Sequence, residues 1–230
     1  MSQLLLHELD DTGPGLRLAV GVSRSGKTHG VRQQVYRAVR AGVPTIVLDR
    51  MLEWTQLPAD VTRVAVGVSA ETGVGLAAEW LAEGARLAIV RTRDVERDGL
   101  LACEWAIADR AEHRAVVVPE VHRLAPNNGA PLSQALEDCA LAWAHHGVSL
   151  YADTQRLSLC HRTLTEQMRE LRVHAVGGDV DLARLRELGG RELSDAAQEC
   201  ARRLVAGEPG WHVSIRTVAL PPYELRREPA

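Results

Sequence analysis

Gly21-Val22-Ser23-Arg24-Ser25-Gly26-Lys27-Thr28 decides how the rest of the chain is read. It follows an apolar run, Leu16–Val22, and opens a helical pattern from about Lys27 to Ala41 that Gly42 and Pro44 end. Gly, four residues, then Gly-Lys-Thr between a strand and a helix is the pattern of a phosphate-binding loop. Its glycines let backbone N–H groups turn towards phosphate oxygens, and the helix N-terminus adds partial positive charge. The loop assigns Gly21, Ser23, Arg24, Ser25, Gly26, Lys27, Thr28 and His29 to a nucleoside triphosphate. Lys27 would bridge the β- and γ-phosphates as a compact charge, and the Thr28 hydroxyl would ligate Mg²⁺.

Composition sharpens the reading. Of 27 basic residues, Lys27 is the single lysine, so arginine serves everywhere except inside the Gly-rich loop. The net charge of −3 gives no general polyanion-binding signal, and 3% aromatics without Phe argue against a platform for stacking bases. Cys103, Cys139, Cys160 and Cys200 are scattered without a CxxC pair, which suits reduced, buried thiols better than a zinc site. No apolar run reaches membrane-spanning length, and Met1–Asp11 has no basic leader, so the expected location is cytoplasmic.

Outward from the loop, short apolar runs alternate with helical patterns, the signature of an α/β parallel sheet. Strands are expected at Leu16–Val22, Thr45–Asp49, Val61–Val68, Arg86–Thr92, Ala115–Val118, Val148–Ala152, Leu171–Val176 and Trp211–Leu220. Helices are expected at Ala70–Glu83, Leu100–Glu112, Leu132–His146, Asp181–Leu188 and Leu193–Ala206. Without a linker or repeat, residues 1–230 read as one domain with a core at about 16–218 and a tail at 221–230.

Three further stretches carry chemistry. Ala115-Val116-Val117-Val118-Pro119-Glu120-Val121-His122 is an apolar strand ending in an acid, with Glu120 where a carboxylate would polarise an attacking water. Leu150-Tyr151-Ala152-Asp153-Thr154-Gln155-Arg156 places an amide beyond a core strand, where Gln155 would sense the γ-phosphate or orient that water. Ile46–Asp49 is a strand that leads into Asp49-x-x-x-Glu53-Trp54.

In this order the motifs resemble the FtsK–HerA superfamily of DNA-pumping ATPases, most of all its compact members, the viral genome-packaging ATPases. The resemblance runs over about Leu16–Val218 and includes a last strand and helix near Val173–Leu185. It implies a RecA-like P-loop core with a C-terminal strand extension, and an ATP- and Mg²⁺-dependent hydrolase that forms a homo-oligomeric ring on double-stranded DNA. Virion or portal-type proteins would be further partners, and the host cytoplasm or virion the location. Lys27, Glu120 and Gln155 would be the catalytic residues. An arginine supplied across the subunit interface would come from Arg91, Arg93, Arg110, Arg114 or Arg162.

One position departs from the family. Its magnesium-supporting Asp is Pro119 here, so hydrolysis does not follow from the loop alone. Asp153 is the candidate to supply that charge beside Thr28, the alternative being a turn or N-cap Asp. The rival functions are an ATPase of phage or secretion-type protein assembly, and a nucleotide-dependent switch or small-molecule kinase.

Overall fold

A computed structural model describes residues 13–54, 64–67, 73–109, 112–141, 143–216 and 225–227. Among these the strands are β1 (Gly15–Val20), β2 (Thr45–Leu48), β3 (Val64–Gly67), β4 (Leu87–Val90), β5 (Arg114–Val118), β6 (Val148–Thr154), β7 (Glu170–Val173), β8 (Trp211–Arg216) and β9 (Leu225–Arg227). The helices are α1 (Lys27–Arg40), α2 (Gly73–Ala82), α3 (Val95–Ile107), α4 (Gln134–Leu141), α5 (Trp143–His146), α6 (Arg162–Gln167) and α7 (Asp179–Val205).

All nine strands lie in one sheet, in the order β3-β4-β2-β5-β6-β1-β7-β8-β9. The first seven strands of the chain pair in parallel. The last two add antiparallel at one edge. This is the mostly parallel α/β sheet expected from the sequence, with the expected C-terminal strand extension.

Strand β1 sits inside the sheet, between β6 and β7, and all six of its residues are buried. Burial on both faces requires a side chain to be accommodated at every position. Arg17 meets that demand by donating to the Gly13 and Gly15 carbonyls at 2.7 and 3.3 Å and lying over the Tyr151 ring. The period of two along the strands sorts the remaining side chains between two cores. Leu18, Ile46, Leu48, Val116, Val118 and Leu150 join the larger core, where α2, α3, α4, α6 and α7 pack. Ala19, Val47, Val117 and Tyr151 join the other, against Val31, Val35 and Val39 of α1. Carried two residues further, the same alternation brings Gly21, Asp49, Pro119 and Asp153 to the carboxyl edge on the α1 side.

Several boundaries move for local reasons. Helix α3 begins at Val95 rather than Leu100, because the Asp94 carboxylate caps it by accepting from Arg97 N at 3.0 Å. Strand β6 runs on to Thr154, which puts Asp153 inside the sheet. Strand β7 stops at Val173, and Ala175 turns away to meet the phosphate loop. The two helices expected in the last third form one run, broken at Gly189 and at Gly190, whose φ of 77° departs from the helix. The short helix α6 and strand β9 lie outside the sequence expectations; α6 is capped by His161, whose Nδ1 accepts from Thr163 N. Parts of the Val61–Val68 strand and Ala70–Glu83 helix, Arg110, and most of the 221–230 tail fall outside the described residues.

Candidate nucleotide-binding site

The loop Gly21–Gly26 is held from both sides of β1. Gly21 N donates to Thr154 O at 3.2 Å, which ties it to β6, and Val22 N donates to Ala175 O at 2.8 Å, beyond β7. Gly21 has no room for a side chain: a Cβ there would lie 2.8 Å from His174 Cβ and 3.0 Å from the Ala175 carbonyl. Gly26 caps α1 with a φ of 99°, a left-handed conformation that favours glycine. Lys27 is buried, and its Nζ donates to Val22 O at 3.2 Å, so the ammonium folds back over the loop. Thr28 and His29 occupy the first turn of α1 and are half-buried, while Ser23 and Arg24 are exposed at the loop's tip. Arg24 has a φ of 63°.

Asp153 is the nearest acid in register. It pairs with Ala19 of β1, two residues before the loop begins, and is buried. It is neither an N-cap nor a turn residue, because it lies within β6. Its Oδ1 accepts from Glu120 N at 3.0 Å. Desolvation raises its pKa to about 6; the Glu120 hydrogen bond and the Lys27 charge pull it down, while the Glu120 and Glu53 charges push it up. A carboxylate therefore stands beside the loop one strand nearer than the family's usual position, which Pro119 occupies.

Glu120 follows Pro119 with φ 49° and ψ 51°, a left-handed conformation that costs a non-glycine residue on the order of 1–3 kcal/mol. That conformation is held by the contact from its N–H to Asp153 and by contacts at its carboxylate. Gln155 Nε2 donates to Glu120 Oε1 at 2.9 Å, and His122 Nδ1 lies 3.3 Å from Oε2. His122 Nδ1 also lies 3.0 Å from Thr154 Oγ1. Burial lowers the His122 pKa, against the raising effect of Glu120. Asp153, Glu120 and Gln155 are thus joined by hydrogen bonds at the carboxyl edge of β5 and β6, and the charge of Lys27, about 130 residues earlier in the chain than Gln155, reaches Asp153.

The Asp49 motif frames the same edge. Asp49 is buried, and its two oxygens accept from Glu53 N at 2.9 Å and Trp54 N at 3.2 Å. Trp54 packs edge-on against Tyr36 of α1, and Arg32 of α1 donates to the Glu53 carbonyl at 2.8 Å. Asp49 thus shapes the loop that carries Glu53, whose charge reaches Asp153.

The arginines divide. Arg156 leans on the buried Asp181 of α7 at 3.4 Å. Arg114, at the opposite edge of the sheet, is taken up by Glu112, the Trp105 carbonyl and the Trp105 ring. Arg162 is exposed and paired with Glu166. Arg91 and Arg93 are exposed just beyond β4. That strand lies four positions from β1, roughly 19 Å across the sheet.

His174 and Gly210 carry no motif, and the sequence reading missed them. His174 is fully buried under the loop, with Nδ1 3.2 Å from Ser25 O. Gly210 N donates to the same carbonyl at 3.3 Å. Both positions follow from the β1–β7–β8 pairing, which leaves no local trace in the sequence.

No family model matches the chain, and no curated protein matches it by sequence. Solved structures do. The genome packaging NTPase B204 of Sulfolobus turreted icosahedral virus 2, in complex with AMPPCP, superposes with a TM-score of 0.70 at 12% identity, over 94% of this chain and 98% of that one. VirB4 of Thermoanaerobacter pseudethanolicus gives a TM-score of 0.62 at 10% identity, over 93% and 89%. The cytoplasmic domain of the type VII secretion ATPase EccC of Thermomonospora curvata gives 0.50 at 16% identity, over 94% of this chain and 25% of that one. The likeness to compact packaging ATPases drawn from the motifs is borne out at the level of fold.

Proposed function

We propose that this chain is an ATP-driven motor that moves double-stranded DNA, as a viral genome-packaging ATPase does. The observation that carries the proposal is the convergence of Lys27, Asp153, Glu120 and Gln155 beside the phosphate loop. The fold shared with B204 supports it. In this reading Lys27 and the loop amides bind the β- and γ-phosphates, with Ser23, Arg24 and Ser25 lining the turn and His29 following on α1. Glu120 accepts a proton from the attacking water. Gln155, bonded to Glu120, holds that carboxylate in place next to the γ-phosphate.

Thr28 and Asp153 would hold Mg²⁺. The donor set fits a hard cation, since Thr28 offers a hydroxyl oxygen and Asp153 a buried carboxyl group. Among the described residues no three His, Cys, Asp or Glu side chains form a metal cage. A cation here would take its remaining oxygens from phosphate and water, the usual habit of Mg²⁺. When bound, it would neutralise charge on the β- and γ-phosphate oxygens.

A motor of this kind works as a homo-oligomeric ring that grips phosphates without regard to sequence, in the host cytoplasm or virion and against virion or portal-type proteins. Among the described residues no helix is long and apolar enough to cross a membrane. The deciding measurement is ATP turnover by the oligomer with and without duplex DNA. Stimulation by duplex DNA is expected, weakening with salt. A basal rate that duplex DNA leaves unchanged sinks the DNA reading, and stimulation by a protein substrate instead turns it towards a secretion-type ATPase.

A further inference from the structure

The Ser25 carbonyl accepts from two donors that lie outside the loop, His174 Nδ1 at 3.2 Å and Gly210 N at 3.3 Å. A carbonyl can only accept, so His174 carries its proton on Nδ1. The described peptides include no cis bond. In a trans peptide, the C=O of one residue and the N–H of the next point in opposite directions. Turning the Ser25 carbonyl down onto His174, just after β7, and Gly210, just before β8, therefore turns the Gly26 N–H the opposite way, up from that support.

Resting on the nucleotide-binding reading above, we infer that His174 and Gly210 are positioning residues of the phosphate site. They set the direction of the Gly26 amide, and so make the C-terminal sheet extension part of that site.

The surroundings leave the imidazole little choice. Its own backbone N–H donates to Val20 O at 2.8 Å, and its ring lies 5.3 Å from that of His212 on β8, tilted by 35°. A Cβ on Gly26 would come within 2.9 Å of Gly210 Cα and 3.7 Å of His174 Nδ1. The turn before β8 is thus seated directly on the loop. Burial pushes the His174 pKa down to about 3, with His212, Arg172 and Lys27 acting the same way and the Ser25 bond opposing them. The ring is neutral in any ordinary buffer and adds no charge beside Lys27. Among the described residues its Nε2 is buried without a hydrogen-bond partner, a poor arrangement for a side chain that only fills space. The retained polar function is the Nδ1–H.

The test compares His174→Leu, which fills the space without a donor, with His174→Asn, whose amide nitrogen can replace Nδ1. The readouts are titration with a fluorescent ATP analogue and Mg²⁺, and the melting temperature without nucleotide. The Leu variant is expected to bind about tenfold more weakly at an unchanged melting temperature, and Asn to recover to within about threefold of the parent. Equal binding by Leu and the parent, or equal weakening of Leu and Asn, overturns the inference. A second measurement needs no variant: ¹⁵N shifts of the parent's histidines report the tautomer, and a protonated Nε2 with a bare Nδ1 on His174 also overturns it. A parent that binds no nucleotide would instead sink the functional reading, leaving the tautomer result standing.

Discussion

The two sides of the candidate site are built in different ways. The phosphate loop, Gly21–Thr28, is one contiguous stretch whose shape comes from backbone and glycine. The acidic side is assembled from side chains on β6 and from the turn after β5, and it includes Glu120 in a left-handed conformation. A backbone-built half can tolerate little change of chain and much change of side chain, apart from Lys27 and the glycines. A half built from side chains can move its key group from one strand to the next, provided the group reaches the same point. Asp153, at the end of the strand beside the one that Pro119 follows, is the candidate for such a move.

The comparison breaks first at Lys27. Lys27→Ala should weaken nucleotide binding by about 100-fold or more, as expected when one member of a desolvated charge contact is removed. Lys27→Arg should not restore it, because a planar guanidinium does not replace a compact ammonium. Calorimetric titration with ATP would measure both; parent-like affinity in Lys27→Ala would remove the loop from the site.

On the acidic side the effect should fall on turnover. Glu120→Gln should lower kcat by about 10²- to 10⁴-fold with nucleotide affinity nearly unchanged, the mark of a proton-accepting group. If Asp153 has taken over the place of the missing acid, Asp153→Asn should cost about 10- to 100-fold in Mg²⁺-dependent turnover. Adding Pro119→Asp to that variant should then recover part of the loss. A double variant no better than Asp153→Asn alone would show that the two positions are not equivalent.

A smaller effect separates the halves by pH. Asp153 has its pKa raised from 3.8 to about 6, so between these values the folded protein holds a proton that the unfolded chain has lost. Without nucleotide or Mg²⁺, this group's contribution is full below about pH 4 and is lost as pH rises through about 6. The amount is on the order of 3 kcal/mol. Denaturant titration of the parent and Asp153→Asn across that range should show the difference vanish in the variant; parallel pH profiles would contradict it. The smallest expected effect is a control that belongs to neither half. Asp94→Ala removes the cap of α3 and should cost about 1 kcal/mol of stability without altering nucleotide affinity.

Much of the fold was legible because its signals are local. Apolar runs such as Val116–Val118 mark buried parallel strands, and Gly42 and the Gly189-Gly190 pair mark where helices end or break. Boundaries set by one side chain were less legible: Asp94 starts α3 five residues before its apolar pattern becomes clear. In the site, Lys27, Glu120 and Gln155 stood out by motif, whereas His174 resembles any histidine at the end of a strand.

By itself the sequence determined the phosphate loop, because one contiguous run contains its own geometry: a strand that ends at Val20, glycines that permit the turn, and a helix that begins at Lys27. It also placed Pro119 where the family it resembles carries an acid. Only the tertiary structure decided which carboxylate comes beside the loop. Strand β6 pairs with β1 so that Asp153 lies beside Ala19, and its carboxylate meets the Glu120 N–H. Pairing between strands distant in the chain is chosen by the packing of the whole sheet, and no local run of residues encodes it. The same pairing on the other side of β1 put His174 beneath the loop.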